Sequence, residues 1–466
     1  MVYTLRLLLV TILFFGTQTA VAQSKHGGGH SKSSHSSDDD DDDEEADKPS
    51  KSDDDGPEPP EKDKMTLKDM VHYYSVQLPM NRNGSGTAWN PDKSPMYAYM
   101  FHTHHWTFMV HGDIFARFNM QDINKAGSRG GEKFDVPGMV MLSGQRATGY
   151  NGLFHFNIML SPEAAVAGGG GYPLLYQTGE TWQGKALIDR QHPHDLVSEL
   201  SVSYAWAYAD KGDVFIYAGL PGEPPLGPVT FMHRPSGSFN PDAPLSHHWV
   251  DATHIAFGVA TLGVRYGRFK IEGSSFNGHE PDENRYNFDK PVLDSRSARL
   301  SFNPSTRWAL QVSQGYLTGP EAIRPTENIT RTTASASYVY PISPRKYFAA
   351  TALWGQNAVT AQEPSNAALL EATLRQKKGV IYGRAEWVQK TGEELSLDPL
   401  AYSQRYRFNV QALTLGAAHD LYFFKGVFAA LGAQATVSRS EPSLNGLYGK
   451  LPISVEVYLH FFPILQ

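Results

Sequence analysis

From Trp106 to the C-terminus the chain alternates apolar and more polar residues with a period of two. In Phe154-His155-Phe156-Asn157-Ile158-Met159-Leu160 one set is bulky and the other more polar. Further on, Leu200, Val202, Tyr204, Trp206 and Tyr208 alternate with Ser201, Ser203, Ala205 and Ala207. Successive side chains of a strand point to opposite faces, so this pattern predicts strands with one apolar and one small or polar face. Aromatic residues crowd the apolar face, while Arg, Glu or Asn stand on the other. That suits a lipid-facing wall around a wet lumen better than a soluble sandwich.

The pattern predicts sixteen strands, near residues 106–120, 138–146, 152–161, 197–208, 213–220, 255–265, 269–277, 295–303, 307–317, 329–340, 347–356, 367–375, 380–389, 404–417, 425–437 and 452–462. Every second connection is short: 147–151, 209–212, 266–268, 304–306, 341–346, 376–379 and 418–424. Long connections at 121–137, 162–196, 221–254 and 278–294 lie between them. Strict alternation with an even strand number predicts an all-β fold, a transmembrane antiparallel β-barrel with tight periplasmic turns and long external loops. Most strands have about the 9–11 residues that a tilted strand needs to cross a bilayer. The last of them, 453–462, resembles the C-terminal assembly strand of outer-membrane proteins, although Pro463 and three more residues trail past it. The resemblance implies outer-membrane lipid and the assembly machinery as partners.

The N-terminal part reads differently. Arg6, an apolar run over 7–16 and Ala20-Val21-Ala22 make residues 1–22 a signal peptide. No later run of 18 apolar residues offers a membrane helix. Residues 23–64 carry 15 acids and 6 bases, including Asp38 to Asp43, and are expected to be disordered. They are a solvated spacer or a loose cation binder through His26, His30 and His35. Leu67, Met70, Val71 and Tyr74 predict a short amphipathic helix. Residues 65–105 are then a periplasmic or lumen-lying segment, and 106–466 the barrel.

Composition narrows the chemistry. Cysteine is absent, which excludes disulfides and thiolate metal sites. The net charge of −7 sits in residues 23–64, and no basic stripe exists for nucleic acid. Asp113, Arg117, Lys270, Glu272, Arg299, Arg384, Glu386 and Arg407 are expected to face the lumen and set its field.

Histidine and methionine are unevenly placed. Twelve of the 18 His fall between His102 and His279, and all 12 Met lie at or before Met232. Three constellations stand out. Met96, Met100, His102, His104 and His105 combine thioether with imidazole, a pairing that suits copper. His192 and His194 straddle Pro193, with Asp195 beside them. His247, His248, Asp251 and His254 follow a stretch, 221–244, with seven Pro that includes His233. A helical turn would put His247, Asp251 and His254 on one face; an extended chain would instead pair His248 with His254. Two His and a carboxylate can hold copper or zinc. The alternative is a rigid polar constriction. No cofactor is otherwise implied.

The stretches Leu-Ile-Asp-Arg-Gln-His-Pro-His-Asp-Leu (187–196), Pro-Gly-Glu-Pro-Pro-Leu-Gly-Pro-Val-Thr-Phe-Met-His-Arg-Pro-Ser (221–236), His-His-Trp-Val-Asp-Ala-Thr-His-Ile-Ala-Phe-Gly-Val (247–259) and Phe-Asn-Gly-His-Glu-Pro-Asp-Glu (276–283) resemble a family of uncharacterised porin-like outer-membrane β-barrel proteins of Gram-negative bacteria. The resemblance runs from about residue 83 to the C-terminus. It implies a barrel in the outer membrane and no particular substrate. The expected function is a porin-like channel or transporter of a small solute or metal ion, and not an enzyme. Rival readings are an outer-membrane hydrolase with His192 or His254 as base near Ser198, Ser201 or Ser246, and a closed structural or adhesive barrel. No nucleophile motif such as Gly-x-Ser-x-Gly supports the hydrolase.

Overall fold

The computed structural model describes residues 71–465, apart from 361, 425 and 426. The expected signal peptide, the acidic segment 23–64 and the first residues of the expected helix lie outside the described residues. Val71 and Tyr74, the end of that expected helix, belong instead to a small hairpin in which Val71–His72 pairs with Ser75–Pro79.

Sixteen long strands close on themselves. They are β1 Thr107–Gln121, β2 Gly138–Thr148, β3 Gly152–Leu160, β4 Val197–Ala209, β5 Gly212–Gly219, β6 Val259–Tyr266, β7 Phe269–Phe276, β8 Ser295–Ser305, β9 Trp308–Leu317, β10 Ile329–Ser343, β11 Lys346–Val359, β12 Ser365–Gln376, β13 Gly379–Thr391, β14 Arg407–Phe424, β15 Val427–Arg439 and β16 Ile453–Pro463. All neighbouring pairs among them are antiparallel, and β16 returns to β1 with Tyr458 opposite Arg117. Closure leaves no open edge, the condition for a sheet to exist in hydrocarbon. A short strand, Gly131–Asp135, continues β2 beyond Gly138 and pairs with the far end of β1, so the expected 121–137 loop is shorter. β14 also runs on to Phe424, through the expected 418–424 turn.

The alternation dictates the wall. In β4, Val202 is 48% exposed and Trp206 47%, whereas Ser203 is 3% and Ala205 1% exposed. Ile216, Leu262, Ile271, Leu370, Ile381 and Leu415 continue this apolar band around the outside. Tyr208, Tyr266, Phe269, Trp308, Tyr340 and Phe348 stand outward beside the short turns. An apolar band rimmed by aromatic residues is the surface of an outer-membrane barrel meeting lipid and its interface.

The lumen is not wet throughout. Among the described residues three segments enter it, one of them the stretch Tyr172 to Tyr176, which packs against Leu353 and Val410. Residues 73–98 place Tyr73, Tyr74, Met80 and Trp89 inside, and residues 221–258 are buried almost without interruption. Apolar clusters form between insert and wall. Trp249 and Val250 pack with Leu353, Val388, Phe408 and Val410. Tyr73 and Met80 pack with Met109, Phe215 and Tyr217. Phe239 packs with Phe115, Tyr382 and Tyr458.

Seven of the eight expected lumen charges are buried there, in pairs rather than as an open field. Arg117 meets Asp135 at 2.7 Å, Asp242 at 2.6 Å and Glu456 at 3.0 Å. Glu272 receives Arg299 at 3.0 Å and Lys270 at 3.2 Å, and both cations also reach Thr87 of the N-terminal insert. Arg384 joins Glu386 at 3.0 Å, and Asp113 meets His460 at 2.7 Å. Arg407 is the exception. It shares the parity of exposed Leu413 and Leu415 and pairs with Glu363 of a neighbouring loop, while Phe408 and Val410 turn inward onto Trp249. The interior is protein at that level, so the apolar residues face it and the cation is left at the outer rim.

Candidate functional site: a buried histidine cluster in the long loops

Two long connections bring five histidines together. After β3, residues 161–196 form a helix, Glu163–Ala167, and a hairpin of Tyr172–Trp182 with Lys185–Gln191. His192 and His194 follow it on either side of Pro193. After β5, the Pro-rich insert ends in a helical turn, His247–Val250, and a 3-10 turn, Ala252–His254. The helical alternative for this segment is therefore the one adopted: His247 Nδ1 lies 2.7 Å from Asp251 Oδ1, one turn on.

Ring centroids of His194 and His254, and of His247 and His254, are 5.1 Å apart; His247 and His248 are 5.3 Å apart. His192 adjoins His194 at 5.9 Å and His248 at 6.1 Å. The shortest contact is between His194 Nε2 and His254 Nε2, 3.1 Å. Both residues are about 5% exposed.

Acceptors hold the other ring nitrogens. His254 Nδ1–H donates to the Asp251 carbonyl at 2.9 Å, since a carbonyl can only accept. His194 Nδ1 faces Glu163 at 2.8 Å, His192 Nε2 faces Glu180 at 2.7 Å and His248 Nδ1 faces Glu280 at 3.3 Å. The Nε2 of His248 has no hydrogen-bond partner among the described residues. Burial, with His194 and His247 close by, pulls His254 well below the ordinary imidazole value. Burial also opposes charge on His194, but the Glu163 carboxylate outweighs it and raises the value.

The expected ligands divide. Asp251 orients rather than offering a free oxygen: Oδ1 accepts from His247, and Oδ2 accepts from Arg234 at 2.7 Å. Asp195 pairs with Arg285 at 3.2 Å. His233 is elsewhere, 5.8 Å from the His111 ring. The 96–105 constellation does not assemble: His102, His104 and His105 are exposed, and His104 meets His105 edge-on at 4.6 Å. Met96 instead lines a cavity of about 100 Å³ with Met80, Met109, Met141, Met232, His111 and His233. Thioether sulfur is a ligand for soft cations, and this cavity is where the chain gathers it. Among the described residues, no three His, Asp or Glu side chains already converge on one metal position.

The serines nearest the histidines in sequence point elsewhere. Ser198 donates to the Asp195 carbonyl, Ser201 to Glu199 and Ser246 to Glu386. Sequence reasoning missed Glu163, Glu180, Arg234 and Arg285, the groups that orient the cluster. Each sits tens of residues from one or more of its partners, and an isolated charge in a long loop carries no periodic signal.

No family model matches the chain, and no curated protein matches it significantly. Similar solved structures include Salmonella typhi OmpF in complex with daunomycin, at 8% identity over 78% of this chain and 100% of that one, TM-score 0.47. Pseudomonas putida OprB is 11% identical over 76% of this chain and 94% of that one, TM-score 0.46. An anion-selective porin from Comamonas acidovorans is 10% identical over 77% and 99%, TM-score 0.45. These neighbours are outer-membrane β-barrel porins. The sheet of this chain closes through its own pairing of β16 with β1.

Proposed function

We propose that the protein is a porin-like conduit for small solutes whose lumen is held shut by its own inserted segments. The supporting observation is the way residues 221–258 are fastened. Arg234, fully buried, donates to Asp251 of its own insert and, at 2.7 Å, to Glu371 of the β12 wall. Ser236 adds bonds to Thr351 at 2.7 Å and to Glu371 at 2.9 Å. Ionic and hydroxyl contacts of this kind can be exchanged for water when a segment moves, and they stand beside the apolar packing of Phe239 and Trp249 on the wall.

The test is conductance of the purified protein in planar lipid bilayers. The wild type gives small, infrequent openings, and Arg234→Ala gives larger or more frequent ones. If both insert as folded barrels and neither conducts, the reading gives way to a closed structural or adhesive barrel.

A further inference from the structure

The His194–His254 contact places two ring nitrogens 3.1 Å apart, a pairing that calls for a positive charge between them. His254 carries its proton on Nδ1, because that nitrogen faces a carbonyl. Its Nε2 is therefore a bare lone pair. His194 likewise presents Nδ1 to the Glu163 carboxylate, which also accepts the His194 backbone N–H at 3.0 Å. In the neutral ring its Nε2 is bare as well. Two lone pairs do not face each other at 3.1 Å in a buried site unless something positive lies between them. That is either a shared proton or a metal ion.

We propose that His194 and His254 are the chelating pair of a divalent transition-metal site of the Cu²⁺ or Zn²⁺ class. Three observations agree. Two ligand nitrogens 3.1 Å apart, each roughly 2.0–2.1 Å from an ion, subtend about 100° at it, between square-planar and tetrahedral values. Each ring has its second nitrogen fixed by an acceptor, the arrangement that sets tautomer and aim in metal-binding histidines. His247, 5.1 Å from His254 and held through Nδ1 by Asp251, supplies a third Nε2 after a small ring movement, and water completes the shell. Binding releases the shared proton if one is present, so affinity falls with falling pH. The site stands on loop geometry and holds whether or not the barrel conducts.

The experiment uses the full-length folded protein, stripped with EDTA and titrated calorimetrically with CuCl₂ and, separately, ZnCl₂. The comparison is His194→Ala with His254→Ala. Both proteins carry His26, His30 and His35, so binding by the N-terminal segment cancels in the difference. The expected result is one ion per chain lost from the variant, together with the Cu²⁺ electron-paramagnetic-resonance signal split by two or three imidazole nitrogens. Equal stoichiometry and affinity in both proteins overturns the site and leaves the shared proton. A second variant guards against a double substitution that disturbs folding. Glu163→Gln keeps both rings but removes the charge that aims His194, and it should weaken binding roughly 10–100-fold at unchanged stoichiometry. Unchanged affinity there, with the folded band of a heat-modifiability gel intact, also counts against the proposal.

Discussion

Val202 and Ser203 are adjacent in β4 and meet opposite surroundings. Val202 stands in the outer apolar band, so Val202→Arg puts a cation against lipid at a cost of about 2–4 kcal/mol near the midplane. The expected outcome is loss of the folded, heat-modifiable band. Ser203 is buried beside His155, which stacks on Tyr73 of the N-terminal insert at 4.0 Å. Ser203→Ala should therefore be silent on the same gel, while Ser203→Arg should fail because the space is taken. Similar assembly of Val202→Arg and wild type would contradict the assigned faces. The period of two made Leu200 to Tyr208 legible from sequence alone, because each residue's face follows from its own parity. Arg407 was not legible for the converse reason. Its strand has apolar residues facing inward, and only the distant Trp249 explains why.

At the scale of elements, the insert 221–258 depends on a few buried polar junctions. Arg234→Ala strips Glu371 and Asp251 of their cation, and breaking such a pair costs about 3–5 kcal/mol. The expected result is faster proteolysis within 221–258 with the barrel strands still protected; equal protection of the insert would show that the junction does not hold it. Glu223 is the second junction, bonded to Ser85 of one insert and Thr230 of the other. Burial pushes its carboxyl up to about 8, with Arg299 pulling the other way. A carboxyl raised on folding contributes fully below the ordinary carboxylate range, and its contribution is lost as pH rises through about 8. Openings in a bilayer should accordingly become more frequent between pH 5 and 8, and Glu223→Gln should flatten that dependence. A variant with the same pH profile as wild type would remove Glu223 from the account.

For the whole molecule, the wall and the plug were unequally readable. Strand number, short turns and outward faces follow from local alternation and turn residues. The plug does not, since Phe239 and Trp249 lie in a Pro-rich stretch without periodicity, and their burial is decided by wall residues more than a hundred positions away in sequence. The histidines were visible as a compositional excess, but their convergence depends on two loops meeting. The absence of cysteine in the chain makes the central claim, that residues 221–258 lie within the closed barrel, directly measurable. Ser236 and Thr351 have hydroxyls 2.7 Å apart, one on the insert and one on β11. Cysteines placed together at both positions should form a disulfide in intact outer membranes, seen as a reductant-sensitive gel shift of the folded band. If instead no cross-link forms and both thiols react freely with a bulky, membrane-impermeant maleimide, the insert is not seated in the lumen.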